Sequence, residues 1–155
     1  MIAIGSNHTG YKLKEEIKKY LDEKDIEYKD FGVEKDEIID YPEIAKRVSQ
    51  AVSKGICESG ILISKTGLGM SIVANKFKKI KCVPCYDEYT AKYSKLYHNS
   101  NIIALGGEDL NVSTAICILR MWLATQYEGD RKQELEIIDE IEKETGRYEL
   151  FLCYP

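Results

Sequence analysis

The segment Ser64-Lys65-Thr66-Gly67-Leu68-Gly69-Met70-Ser71 gathers hydroxyls, a lysine and two glycines directly after the apolar run Gly60-Ile61-Leu62-Ile63. Such a run reads as a strand buried on both faces. From Met70, the residues Ile72, Val73 and Ala74 continue as a helix that begins at the loop. A loop of this composition leaves backbone N–H groups uncovered beside a positive helix terminus, where an anion or a developing negative charge is stabilised. Two phosphate-binding motifs are excluded. A Walker loop needs glycine just before Lys65-Thr66 and again five residues earlier, where Ser64 and Ser59 stand. The dinucleotide fingerprint needs a third glycine three residues after Gly69, and Ile72 is there. A turn without any ligand is the plain alternative.

Further candidates are scattered. Asn7, His8 and Thr9 lie in the loop Ser6-Asn7-His8-Thr9-Gly10, after a first strand at Ile2–Gly5, and all three types can reach a ligand. The second histidine, His98, stands before Asn101. The five cysteines, at positions 57, 82, 85, 117 and 153, are an odd number and not a disulfide framework. Cys82-Val83-Pro84-Cys85 has the spacing of a redox or zinc pair, but no second pair accompanies it and the histidines lie elsewhere. Buried strand thiols are the expectation.

The elements that must position these residues alternate. After the first strand comes a helix with Leu13, Ile17, Tyr20 and Leu21 on one face, then an alternating edge strand at Ile26–Phe31. Asp40-Tyr41-Pro42 leads into a helix from Glu43 to Lys54, Pro42 being suited to a first helical turn. The strand before Ser64 is the third, and its helix runs to about Phe77. A fourth strand at Lys81–Tyr86, a helix to about Tyr97, a fifth strand at Ile102–Leu105 and a helix from Val112 to Tyr127 follow. With right-handed crossovers this is an α/β fold, a doubly wound five-stranded parallel sheet in a three-layer αβα sandwich of Rossmann-like kind, with ligands at the carboxyl ends of the strands.

The 155 residues fit one domain, 1–155, in which 128–155 form a C-terminal helix and an apolar tail, Leu150 to Pro155, that packs on the domain or on a partner subunit. A hydrophobic content of 44% and a charged content of 31% belong to an ordinary globular chain, and the net charge of -4 argues against a general nucleic-acid binder. No apolar run reaches a membrane span and the N-terminus is no signal peptide, so a cytoplasmic protein is expected. The basic run Lys76–Lys95 is read as a solvated face, with attraction of an anionic substrate as the alternative.

Taken together, Gly5 to Gly10, Asp40-Tyr41-Pro42, Thr66 to Ser71 with Ala74-Asn75-Lys76, and Asn101 to Gly107 resemble the type B ribose-5-phosphate isomerases and the galactose-6-phosphate isomerase subunits. The resemblance implies a cofactor-free, metal-free aldose–ketose isomerisation through a cis-enediolate. It implies an oxyanion cradle around Thr66, Gly67, Leu68 and Gly69, phosphate contacts from His8 and Arg131, and a sugar site lined by Tyr41. It further implies a homodimer or dimer of dimers whose sites draw on both chains.

Several positions depart from the family pattern. The usual loop begins Cys-Gly-Thr-Gly, with the cysteine as base; Ser64 and Lys65 stand there. An unassisted serine is a weaker base than a thiolate. Lys65 either lowers the serine's pKa, holds phosphate as a point charge, or points to solvent. The family's His-Asn-x-Ala-Asn, whose histidine assists ring opening in the neighbouring subunit, falls on Tyr97 without a gap, and on His98-Asn99 with a one-residue deletion. His98 is the candidate acid and Tyr97 its rival, a surface histidine without a role being the alternative. Asn7 replaces an aspartate, Leu135 an arginine of the phosphate clamp, and Glu108 a common arginine. These departures keep a second reading open: a catalytically impaired sugar-phosphate-binding subunit that partners an active paralogue.

Overall fold

A computed structural model describes residues 1–151, and the side chains of residues 1–145. The expectation for the tail Leu150 to Pro155 therefore lies outside the residues whose side chains are described. Five strands, β1 (Ile2–Ser6), β2 (Tyr28–Asp30), β3 (Ser59–Ser64), β4 (Cys82–Pro84) and β5 (Ile102–Gly106), form one sheet in the order β2-β1-β3-β5-β4. Every pairing is parallel, with Ile4 opposite Ile61 and Ser64 opposite Gly106. The doubly wound expectation holds.

Helices α1 (Tyr11–Glu23), α2 (Tyr41–Ser53), α3 (Leu68–Ala74), α4 (Glu88–Leu96), α5 (Val112–Ala124) and α6 (Lys132–Phe151) connect and follow the strands. Alternation along the strands sends Ile4, Ile61, Ile63, Ile103 and Leu105 to one face, where Leu13 and Ile17 of α1, Ala91 of α4 and Ile118 and Trp122 of α5 bury them. Ala3, Leu62, Ile102 and Ala104 face the other way, toward Ile44 and Val48 of α2 and Met70 and Ala74 of α3. Burial on both sides explains why the central strands read as continuous apolar runs.

Several boundaries differ from the sequence reading, each for a local reason. Helix α2 begins two residues earlier than expected, at Tyr41, because Pro42 sits in the first turn, where a backbone N–H has no acceptor within the helix, and it ends one residue earlier, at Ser53. Helix α3 stops at Ala74, where the Asn75 side chain turns to bond both the N–H and the C=O of Cys82 at 2.8 Å. The amide thus pairs with the edge strand β4 in place of backbone. Helix α5 ends at Ala124, and the extended Thr125 covers the Met121 carbonyl with its hydroxyl at 2.7 Å.

Cys82 and Cys85 are buried, and they belong to opposite cores. Burial raises both thiols, Cys85 to about 11, so each packs as a neutral hydrophobe at ordinary pH. Among the described residues no helix is long and apolar enough to cross a membrane.

Candidate active site

From β1 the chain leaves to one side through α1, and from β3 it leaves to the other through α3, so the loops after these strands part and open a crevice at their carboxyl ends. On one side lies Asn7, only 6% exposed, whose Oδ1 accepts a hydrogen bond from Thr9 Oγ1 at 2.8 Å. The residues His8–Gly10 form a 3-10 turn that leaves the His8 side chain exposed. This turn presses so closely on β3 that a β-carbon at Gly10 would lie 2.5 Å from the Ile63 carbonyl oxygen. Only glycine fits there.

On the other side, Ser64 ends β3 with its hydroxyl accepting the Gly67 N–H at 3.0 Å. Gly67 holds a left-handed backbone, φ 77°, and so bends the chain from strand to helix within three residues. The first N–H groups of α3 have no acceptor within the helix. Of these, the Leu68 N–H reaches only Thr66 Oγ1, at 3.4 Å. Tyr41 arrives from the first turn of α2 and lays its ring against Gly69, where a β-carbon would come within 2.7 Å of the ring. The loop after β5 closes the third side. There the Gly107 N–H donates to the Ser64 carbonyl at 2.7 Å and the Glu108 N–H to that of Lys65 at 3.2 Å.

Of the roles open to Lys65, the structure shows its ammonium 3.2 Å from the Glu108 carboxylate. Both side chains are half or more exposed, so this is a weak surface pair. The lysine thus reaches to the loop after β5. The position of Leu135 is buried in the structure and offers no phosphate contact.

Asn7, His8, Tyr41, Ser64, Lys65, Thr66, Gly67, Leu68 and Gly69 thus share one edge of the sheet. Tyr97, His98, Asn99 and Arg131 do not join them. These four lie in the connections that lead from α4 into β5 and out of α5, at the amino edge. The length of β5 separates the groups by at least about 13 Å at a strand's rise of ~3.3 Å per residue. Tyr97 caps the end of α4, and the Arg131 guanidinium carbon stands 5.0 Å from the centre of its ring. Tyr93 and then Tyr89 continue the stack, with ring centres 5.0 and 4.2 Å apart. His98 turns elsewhere and borders a hollow of about 640 Å³ with Phe77, Ile80 and Val83, closed by Ile138 and Ile141 of α6. Asn99 takes a left-handed φ of 47° to turn the chain and is exposed.

Two features escaped the sequence reading. Lys14, 1% exposed, reaches from α1 to Asp30 at 2.8 Å and to the Val33 carbonyl at 2.7 Å, fixing the turn after β2. Against the burial that would raise it, bonds from Lys14, the Gly32 N–H and Lys18 hold the Asp30 carboxyl below its ordinary value. The second is Asp109, whose Oδ2 lies 3.1 Å from where a β-carbon of Gly106 would stand. Its only sequence signal was an acid a few residues beyond a strand's carboxyl end.

Residues 2–141 of the chain match the Ribose/Galactose Isomerase family, and the chain belongs to it. The particular relatives narrow the picture. The chain is 41% identical over 143 residues to ribose-5-phosphate isomerase B of Escherichia coli, covering 92% of this chain and 96% of that one. It is also 35% identical over 129 residues to D-erythrulose-4-phosphate isomerase of Pectobacterium atrosepticum, covering 83% and 85%. The solved structure of ribose-5-phosphate isomerase B from Clostridium thermocellum superposes with a TM-score of 0.90 at 40% identity, over 93% of this chain and 98% of that one.

Proposed function

We propose that the protein interconverts the aldose and ketose forms of a phosphorylated sugar through a cis-enediolate, with ribose 5-phosphate and ribulose 5-phosphate as the first pair to test. The observation that carries this reading is the meeting of Asn7–Gly10, Tyr41 and Ser64–Gly69 at one crevice in a chain of the Ribose/Galactose Isomerase family. A reaction of this kind removes a proton beside a carbonyl and returns it to the neighbouring carbon. The negative charge that develops on oxygen is what the backbone N–H donors around Gly67 and Gly69 would meet, already oriented and without reorganisation. Asn7 has its oxygen engaged by Thr9 and its amide N–H groups left to bond a sugar hydroxyl. Tyr41 lines the sugar, and His8 takes the phosphate.

A second copy of the chain completes the site in this proposal, because Arg131 and the ring-opening residue stand at the wrong edge of their own sheet. Tyr97 shares its position with Arg131, whereas His98 borders the hollow under α6, which favours Tyr97 as the residue that enters the partner's site. The exposed Ile137, Ile138 and Ile141 on α6 supply an apolar face for such an assembly, a homodimer or a dimer of dimers. The alternative of an impaired subunit is disfavoured by relatives that carry isomerase names across nearly their whole length. Phosphorylated sugars do not cross a bilayer unaided, so the reaction is assigned to the cytoplasm where they are made.

The test is incubation of the purified protein with ribose 5-phosphate in deuterium oxide. Deuterium should enter at C2 as ribulose 5-phosphate forms. Absence of exchange across a panel of five- and six-carbon sugar phosphates would overturn the reading.

A further inference from the structure

The turn from α4 into β5 leaves Tyr97 half-buried and His98 and Asn99 exposed, and it is tied down through the residue that follows them. Ser100 is fully buried, and each of its polar groups is engaged. Its N–H donates to the Ser94 carbonyl at 3.0 Å, and its carbonyl accepts the Lys95 ammonium at 2.9 Å. Its hydroxyl accepts the Trp122 indole N–H at 2.7 Å and meets the Ser94 hydroxyl at 3.0 Å. Ser94 gives its own proton to the Ala91 carbonyl at 2.9 Å, so Ser100 is the donor between the two hydroxyls. The bonds therefore run one way, from Trp122 through Ser100 and Ser94 to Ala91, and join α5 to the last turns of α4.

Such a knot is an unfavourable way merely to fill space. Buried hydroxyls and a half-buried cation cost stability unless every partner is supplied, and packed apolar side chains close a gap without that condition. Lys95 forms no ion pair among the described residues; its ammonium lies 4.4 Å from the centre of the Trp122 ring, and burial holds its pKa below the ordinary value. The knot also brackets Tyr97 in the chain, Lys95 preceding it and Ser100 following it. Within the bracket the Asn99 N–H donates to the Lys95 carbonyl at 3.1 Å, and the Glu128 N–H reaches the Leu96 carbonyl at 3.4 Å. The second bond draws in the connection that bears Arg131, whose guanidinium carbon stands 5.0 Å from the centre of the Tyr97 ring. What the knot fixes is the point from which Tyr97 and Arg131 leave the surface.

We propose that Ser100 and Lys95, anchored on Trp122, are positioning residues for the isomerisation, holding the Tyr97 turn at the geometry that the crevice of a second copy requires. The inference rests on the shared-site isomerase reading above. Neither residue touches the substrate. Their service is to set Tyr97 beforehand, so that little ordering remains when the two copies meet around the sugar.

The experiment measures kcat and KM on ribose 5-phosphate, and on the wider sugar-phosphate panel, for the full-length wild type, Ser100→Ala, Ser100→Thr, Lys95→Met and Lys95→Arg, then for mixed oligomers refolded from pairs of variants. Ser100→Ala and Lys95→Met should each lower kcat roughly ten- to hundredfold, the scale of a misplaced reacting group, with KM moved by less than about threefold. Ser100→Thr keeps the hydroxyl and Lys95→Arg the charge, and each should recover part of the loss. The defect should also act on the other copy. Ser100→Ala refolded with Gly67→Val, damaged at the carboxyl edge, should regain turnover, because one crevice then takes its loop from the first chain and its Tyr97 from the second. Refolded with Arg131→Ala, damaged at the same edge, it should not. Lys95→Met carries the same pairings where Ser100→Ala does not refold. Undiminished kcat in Ser100→Ala or Lys95→Met, or a loss that Gly67→Val fails to complement, overturns the assignment and leaves the isomerase reading standing. Absence of turnover by the wild type on every sugar overturns both.

Discussion

At the carboxyl edge of the sheet, the loops after β1, β3 and β5 are joined by backbone hydrogen bonds and by glycines at van der Waals contact, so Gly10 touches Ile63 and Gly107 touches Gly10. A stack of Tyr89, Tyr93 and Tyr97 runs down the surface of α4 and ends at the amino edge on Arg131, held by side chains. The difference separates two kinds of preparation for a ligand. A crevice locked by backbone can aim donors at a developing charge with no further ordering, as electrostatic catalysis requires. A stacked arginine keeps its N–H edge available and gains definition when another surface covers it. We therefore read the first edge as the place of chemistry and the second as the part lent to a neighbouring copy.

The largest expected effect breaks the first edge. Gly10→Ala puts a methyl group 2.5 Å from a backbone oxygen that cannot move aside. Overpacking of this kind costs about 1–3 kcal/mol, read as a lower urea midpoint, and turnover should fall further than stability because the β1 and β3 loops are forced apart.

A smaller effect comes from the support beneath the same edge. Asp30→Asn removes the negative charge that partners the buried Lys14 and should cost about 1–3 kcal/mol near neutral pH. Because the folded Asp30 carboxyl lies below its unfolded value, its stabilisation is present above the unfolded carboxylate range and disappears as pH falls through the folded value. The stability difference between wild type and variant should accordingly shrink on acidification. A difference that grows as pH falls contradicts the assignment of Lys14 and Lys18 as the partners that hold the charge.

The smallest effect sharpens the second edge. Tyr97→Phe keeps the ring under Arg131, and Tyr97→Leu removes it. If the ring's service is to hold the guanidinium, the leucine variant should raise KM for the sugar phosphate by roughly two- to fivefold, the usual worth of an exposed cation–π contact. The phenylalanine variant separates this from acid catalysis by the hydroxyl, because loss of a proton donor lowers kcat instead.

Much of this division could be read from the chain. Thr66-Gly67-Leu68-Gly69 announces itself because a strand-to-helix turn demands glycine at a left-handed position, and Gly67 takes that conformation. The central strands β1, β3 and β5 were visible as apolar runs since both faces of the sheet are covered there, and β2 as an alternating edge strand. Even the two edges were implicit: Ser64 follows a strand and His98 precedes one, and parallel strands send such residues to opposite ends. What stayed hidden depends on contacts between distant segments. Nothing in the polar face of α1 marks Lys14 as the buried partner of Asp30. Nothing local joins Tyr97 to Arg131, or lays Tyr41 on Gly69. Asp109 was passed over because its position depends on the side chain that Gly106 lacks, a space that only the folded register reveals.

Subunit complementation tests the shared site most directly. Gly67→Val, damaged at the carboxyl edge, and Arg131→Ala, damaged at the amino edge, are each purified and then unfolded and refolded together. Mixed oligomers should regain turnover that neither variant has alone, because pairing them rebuilds one intact crevice from two chains. Mixed oligomers formed in full yet no more active than the parents would contradict a site built from both copies.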